Sequence, residues 1–372
     1  MSPAEALARI QAALDAIKPI AWCTPTSVAA VTTAATAAAQ SGADILPISP
    51  TYPELPVETV RSAVRTARSA ARSLPDHPLR GVVVAKIDEA DATVDAIGSR
   101  DDHKFSSWSR SHHGEPTPAA VKAAQDILAA PLPEETEPRS FTAADLQEAV
   151  SAALAHYSLD GWTAVTLERL ATVSVDLATR QVRIRSDATF RRSDMARLLV
   201  HEVGGHVLRG ENAVRQPDPV ASFALGDATV SEEGLAAWLE IKFGVASPRT
   251  HRLYAARTVA AHLAADHGIL SIIRCLHPAV GWDDATSISL RVKRGLSDLN
   301  SPGGFLKDQA YLSGLRAIAD HMTSHPEDLR AIMATKWPLE NLDTAVGMIN
   351  SGTLQPADLL PEPECLGLAA FT

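Results

Sequence analysis

Apolar residues recur at helical spacing along most of this chain. Period-two alternation is concentrated in one pair of runs, TVSVDL (172–177) and QVRIRS (181–186), separated by the polar turn ATR. That pattern restricts the fold to an α+β class, mostly α-helical, with one small antiparallel sheet. In the predicted hairpin Val182 and Ile184 share one face, and Arg183 and Arg185 the other. Helices are expected over 2–17, 24–42, 57–74, 114–128, 142–157, 231–243, 249–277, 284–296 and 306–324, with shorter ones at 326–335 and 341–350. ADILPIS (43–49) reads as a short strand, and GVVVAKI (81–87) as a short strand or a helix start. Thr117, before Pro118, and Thr142 read as N-caps. Ser193 and Ser231 read as caps of the helices that follow them.

At 372 residues the chain exceeds one typical domain. We expect an N-terminal helical region (1–84), a larger domain (85–355) and an irregular tail (356–372). The Pro- and Glu-rich stretch APLPEETEPRS (130–140) is the best linker. A net charge of −10 argues against nucleic acid as a partner. No run of 18 apolar residues exists, so no membrane span is expected, and the N-terminus reads as an amphipathic helix rather than a signal peptide. Cys23, Cys275 and Cys365 are far apart and form no CxxC pair, so neither a disulfide framework nor a thiolate zinc site is indicated, which fits a reducing, cytoplasmic compartment.

The chemistry concentrates in LLVHEVGGHVLRGEN (198–212). His201, Glu202 and His206 resemble the zinc-binding HExxH pattern, but here the second histidine stands at i+5. On an α-helix, position i+4 lies about 40° around and i+5 about 140° around, so a regular helix cannot aim both rings at one ion. A π-type turn, which absorbs one extra residue, can. Gly204 and Gly205 fit that idea, since each costs about 1 kcal/mol relative to Ala in a helix. The plainer alternative is two core histidines. A catalytic zinc needs a third ligand, and VSEEGLAAWLEIKFG (230–244) offers Glu232 or Glu233, with Asp227 a weaker competitor or an outer partner of a ligand histidine.

HEVGGH followed by EEGLA resembles the bacterial QEGLA-motif family, related to the tubulin tyrosine carboxypeptidases called MATCAP. GEP (114–116), Arg294-Gly295 and GGFLKDQAYLSGL (303–315) resemble further family segments, the last giving Phe305, Lys307, Asp308, Tyr311 and Gly314. The resemblance covers roughly 85–350 and implies a zincin-like metallopeptidase core. In it the small sheet precedes the HExxxH helix, and Zn2+ is held by His201, His206 and Glu233. Glu232 stands where the family has Gln. Glu202 is then the general base, and Tyr311 a candidate for oxyanion stabilisation. Arg294 and Lys307 are candidates for binding the terminal carboxylate of a peptide or protein substrate. The implied activity is removal of C-terminal residues. A zinc endopeptidase and a zinc-stabilised protein without turnover are the alternatives.

Two further features have a plain and a sharp reading. Arg180, Arg183, Arg185, Arg191, Arg192 and Arg197 form either a solvated face or an electropositive rim for an acidic peptide. His103, His112 and His113 read as exposed histidines of a polar loop rather than a second metal site.

Overall fold

The computed structural model describes residues 3–74, 80–131, 137–168, 171–224 and 228–371. By its internal contacts the chain divides into two units, Met1–Pro131 with Arg249–Ser313, and Leu132–Pro248 with Gly314–Thr372. Among the described residues no helix is long and apolar enough to cross a membrane.

The unit holding HEVGGH opens on the helix Ala143–His156. Thr142 caps it as expected, in a reciprocal capping box with Asp145. This helix packs Leu146, Val150 and Leu154 against Val182 and Ile184 of the sheet and against Leu199, Val203 and Val207. Each such side chain, fully buried, contributes about 1.5–3 kcal/mol of transfer free energy. The expected hairpin is present. Strands β1 (Val173–Asp176) and β2 (Gln181–Arg185) pair antiparallel, with Val175 opposite Val182. The sheet is nevertheless mixed rather than antiparallel. A third strand, β3 (Thr163–Leu167), pairs parallel to β2 on its other side. Its segment, TAVTL, is too short and too exposed on its outer residues to announce itself by alternation. A separate two-stranded ribbon joins Phe141–Thr142 to Thr189–Phe190.

Several expectations are corrected. Residues 43–49 form no strand. The side-chain amide of Asn300 bonds both main-chain groups of Leu46, accepting its N–H at 2.7 Å and donating to its C=O at 3.2 Å, which replaces a strand partner. GVVVAKI lies inside the helix Arg80–Gly98, so a boundary after residue 84 falls within that helix. The expected helix over 249–277 is two, Pro248–Leu263 and Ile269–Val280. Gly268 between them needs its missing Cβ, which would stand 2.4 Å from the carbonyl oxygen of Asn300. Ser193 is inside a helix that begins at Arg192, and both its N–H and its hydroxyl donate to Glu137. The histidines at 103, 112 and 113 sit on the helix Asp102–His113, not in a loop, and His113 is buried against the Phe305 ring. Thr117 does cap Pro118–Ala129, accepting from the Ala120 N–H.

Candidate metal centre

His201 and His206 lie on a nine-residue π-helical segment, Leu199–Val207, flanked by the α-helices Arg192–Leu198 and Leu208–Val214. The Leu208 N–H bonds the carbonyl of Val203, five residues back, where an α-helix would reach back four. The extra residue per turn brings His206 round to the side of His201. The ring centroids stand 5.0 Å apart with planes at 76°.

The glycines let a second helix approach. A Cβ on Gly205 would meet the Cβ of Ala236 at 2.8 Å, and one on Gly204 would meet Pro361 at 3.1 Å. Ala236 belongs to the helix Thr229–Lys242, which carries EEGLA. That helix starts two residues before Ser231, so Ser231 is not its cap. The Ser231 hydroxyl accepts the Leu339 N–H instead. Gly234 faces Gly314 so closely that its Cβ would lie 2.3 Å from the Gly314 carbonyl carbon. The glycines of two family segments therefore mark one close backbone contact.

These approaches bring Glu233 onto the histidines. Its Oε2 is 3.6 Å from His201 Nε2 and 3.8 Å from His206 Nε2. One donor atom from each of the three lies within 4.8 Å of the others. Ligands about 2.1 Å from a tetrahedral zinc stand about 3.4 Å apart, so the set is the size of a zinc triad before contraction. His201 Nδ1 is 2.7 Å from Glu240 Oε1, whose side chain is fully buried and also receives Arg197 at 3.3 Å. This carboxylate fixes the ring so that Nε2 faces Glu233 and His206. Burial alone would lower the His201 pKa, but the hydrogen bonds to Glu233 and Glu240 outweigh it and raise it to about 10.

Glu232, one helical step away, points elsewhere. Arg209 Nη1 is 2.6 Å from its Oε1, Lys336 bonds its other oxygen, and His206 Nδ1 is 3.7 Å away. Burial would raise its pKa, but Arg209 and Lys336 hold the carboxyl well below the usual carboxylate range. Of the two neighbours, Glu233 therefore meets the histidines and Glu232 the cations. Glu202 is buried and makes no hydrogen bond with a described residue, which leaves its oxygens available to water. Asp227 lies outside the described residues.

Glu240 was missed in the sequence. It stands seven residues, two turns, beyond Glu233 and so on the same helix face, which was the available signal. Arg294, Lys307 and Tyr311 belong to the other unit. Arg294 is buried over the Phe305 ring, Lys307 is half-buried on the short turn Leu306–Gln309, and Tyr311 stacks on Tyr254 at 5.0 Å. The arginine run favours its plain reading. Arg180 pairs with Glu211, Arg183 with Asp176, Arg185 with Asp187, Arg191 with Asp194 and Arg197 with Glu240, while Arg192 donates to the Ala370 carbonyl.

The sequence model of the family described as microtubule-associated tyrosine carboxypeptidase matches residues 39–365. The chain belongs to this family. Microtubule-associated tyrosine carboxypeptidase 1 of Mus musculus is 34% identical over 132 residues, and that of Homo sapiens 36% over the same length. Each alignment covers 33% of this chain and 27% of the relative, so the chain matches about a quarter of the length of these family members. The family match begins at residue 39, well before the region around 85 where the sequence resemblance started.

Proposed function

We propose that this chain is a zinc-dependent carboxypeptidase with a zincin-like core, removing one or more C-terminal residues from a peptide or protein. The observation that carries the reading is the convergence of His201, His206 and Glu233 from two helices, beside a buried Glu202 that makes no hydrogen bond with a described residue, in a chain of a carboxypeptidase family. His201, His206 and Glu233 would hold the metal, and a two-histidine, one-glutamate set is the donor chemistry of catalytic zinc with one position left open. When bound, zinc supplies a Lewis acid that makes water more acidic and polarises a peptide carbonyl.

The protein's own groups do the rest. Glu240 holds the His201 ring in its tautomer and orientation. Glu202 takes a proton from the attacking water as its oxygen adds to the carbonyl carbon, and returns it to the amine as the C–N bond breaks. From the sequence motif alone, Tyr311 is assigned to the developing oxyanion, and Arg294 and Lys307 to the charge of the substrate's end. All three cysteines are free, which suits action in a reducing, cytoplasmic compartment.

Two measurements test this. Glu202→Gln should reduce turnover by at least a hundredfold while bound zinc stays at the wild-type level. Mass spectrometry on peptides with free and amidated C-termini should find shortening of the free acid alone. Cleavage of the amidated peptide at internal bonds would instead make the chain an endopeptidase.

A further inference from the structure

The helix Thr229–Lys242 brings three carboxylates to the two histidines, and each meets a different atom. Glu233 faces both Nε2 atoms, at 3.6 and 3.8 Å. Glu240 holds Nδ1 of His201 at 2.7 Å. Glu232 Oε2 stands 3.7 Å from Nδ1 of His206, about half an ångström beyond hydrogen-bond length. Among the described residues it is the one carboxylate within 4 Å of that atom. The His206 ring thus has a carboxylate behind it, as the His201 ring does. Two cations place this carboxylate. Arg209 Nη1 is 2.6 Å from Oε1, and Lys336 bonds Oε2. Both cations are themselves set by the backbone. The Arg209 guanidinium donates to the carbonyls of Ile332, Thr335 and Trp337. Lys336 lies in that same stretch, and its main-chain N–H bonds the Ala221 carbonyl at 3.0 Å. Arg209 therefore takes one oxygen and leaves the other to Lys336 and His206. Stability alone is a weak reason for such a cluster. A buried ion pair replaced by apolar side chains of like volume is often no less stable, and two cations beside a metal site repel the metal.

We propose that Glu232 is a positioning residue for His206: its Oε2 accepts the Nδ1–H of that ring, which leaves Nε2 deprotonated and turned to the metal, while Arg209 and Lys336 orient the carboxylate. An imidazole that donates one ring N–H to a fixed carboxylate is locked in tautomer and direction, and its other nitrogen becomes a better ligand. One helix then supplies a metal ligand, Glu233, and the outer partners of both histidines, Glu232 and Glu240. The effect on metal affinity rests on the zinc reading above, whereas the tautomer of His206 is a property of the chain with or without metal.

The test uses the full chain with isotopically labelled histidine, with and without zinc, above the pH range in which histidine is protonated. Nitrogen NMR reads the tautomer of His206, and competition with a chromophoric chelator reads the zinc affinity. Glu232→Leu combined with Lys336→Met removes one negative and one positive charge together, so the net charge stays while the acceptor is lost. In the wild type His206 should carry its proton on Nδ1, slow to exchange with water. In the double variant that proton should lose its protection, and zinc affinity should fall by roughly 10- to 100-fold. The Tm of the zinc-free double variant should stay close to that of the wild type, which separates this loss from one of folding. Glu232→Gln, which keeps an oxygen for the ring, should lose less affinity than the double variant. Unchanged affinity in the double variant, equal loss in the two variants, or a zinc-free wild type with the His206 proton on Nε2 overturns the proposal. A wild-type chain that takes up no zinc overturns the metal reading, and the tautomer in the zinc-free chain then decides this proposal by itself.

Discussion

Glu232 and Glu233 are neighbours with opposite fates, and one helical step of about 100° is the reason. Glu233 meets two imidazoles, whereas Glu232 is claimed by Arg209 and Lys336. The spacing of the histidines made His201 and His206 legible in the sequence, but only the family resemblance favoured Glu233 over Glu232. That choice depends on cations 23 residues back and 104 residues on, which no local pattern places. Glu240 was unread for a related cause, since an outer carboxylate earns its role only from the ring it meets. Glu240→Gln should lower zinc affinity by roughly 10- to 100-fold in competition with a chromophoric chelator, with the fold retained by circular dichroism. Unchanged affinity would show that the His201–Glu240 contact is only packing.

Among the elements, the π-helical segment decides most. The i+5 spacing of the histidines, with two glycines between them, predicts such a turn, and Leu199–Val207 forms one. The glycines have a second cause that the sequence concealed: they admit the Thr229–Lys242 helix and the tail at Pro361. Close approach at Gly234 can be probed directly. Gly234→Ala places a methyl 2.3 Å from the Gly314 backbone and should destabilise by about 1–3 kcal/mol, lowering the Tm by several degrees. Gly347→Ala, in the helix Leu342–Asn350 with nothing within 4 Å of the new methyl, should leave the Tm unchanged or raise it. If the two substitutions behaved alike, the contact would not matter. Long helices and the hairpin were readable from periodicity. The strand Thr163–Leu167 was not, because its reason to be extended is its parallel partner Gln181–Arg185. The apolar run of GVVVAKI suits either structure, and the Arg80–Gly98 helix around it decides.

For the whole molecule, the sequence led to consecutive regions divided after residue 84, whereas the contacts give two units that each take two separate stretches of chain. Periodicity carries no record of a chain that leaves a unit and returns to it, so that organisation is visible only in space. All three proposed zinc donors and Glu240 belong to the unit Leu132–Pro248 with Gly314–Thr372. The other family segments serve partly in packing. Gly295, for example, takes a positive φ of 91°, and a side chain there would strike the Phe105 ring at 2.5 Å. If His201, His206 and Glu233 hold one zinc ion, elemental quantification on the purified protein, set beside His206→Ala, will find about one zinc per wild-type chain and near-complete loss in the variant, with the helical content of both alike. Wild-type protein free of zinc after loading and desalting, or a variant that retains it in full, would rule this three-residue zinc site out.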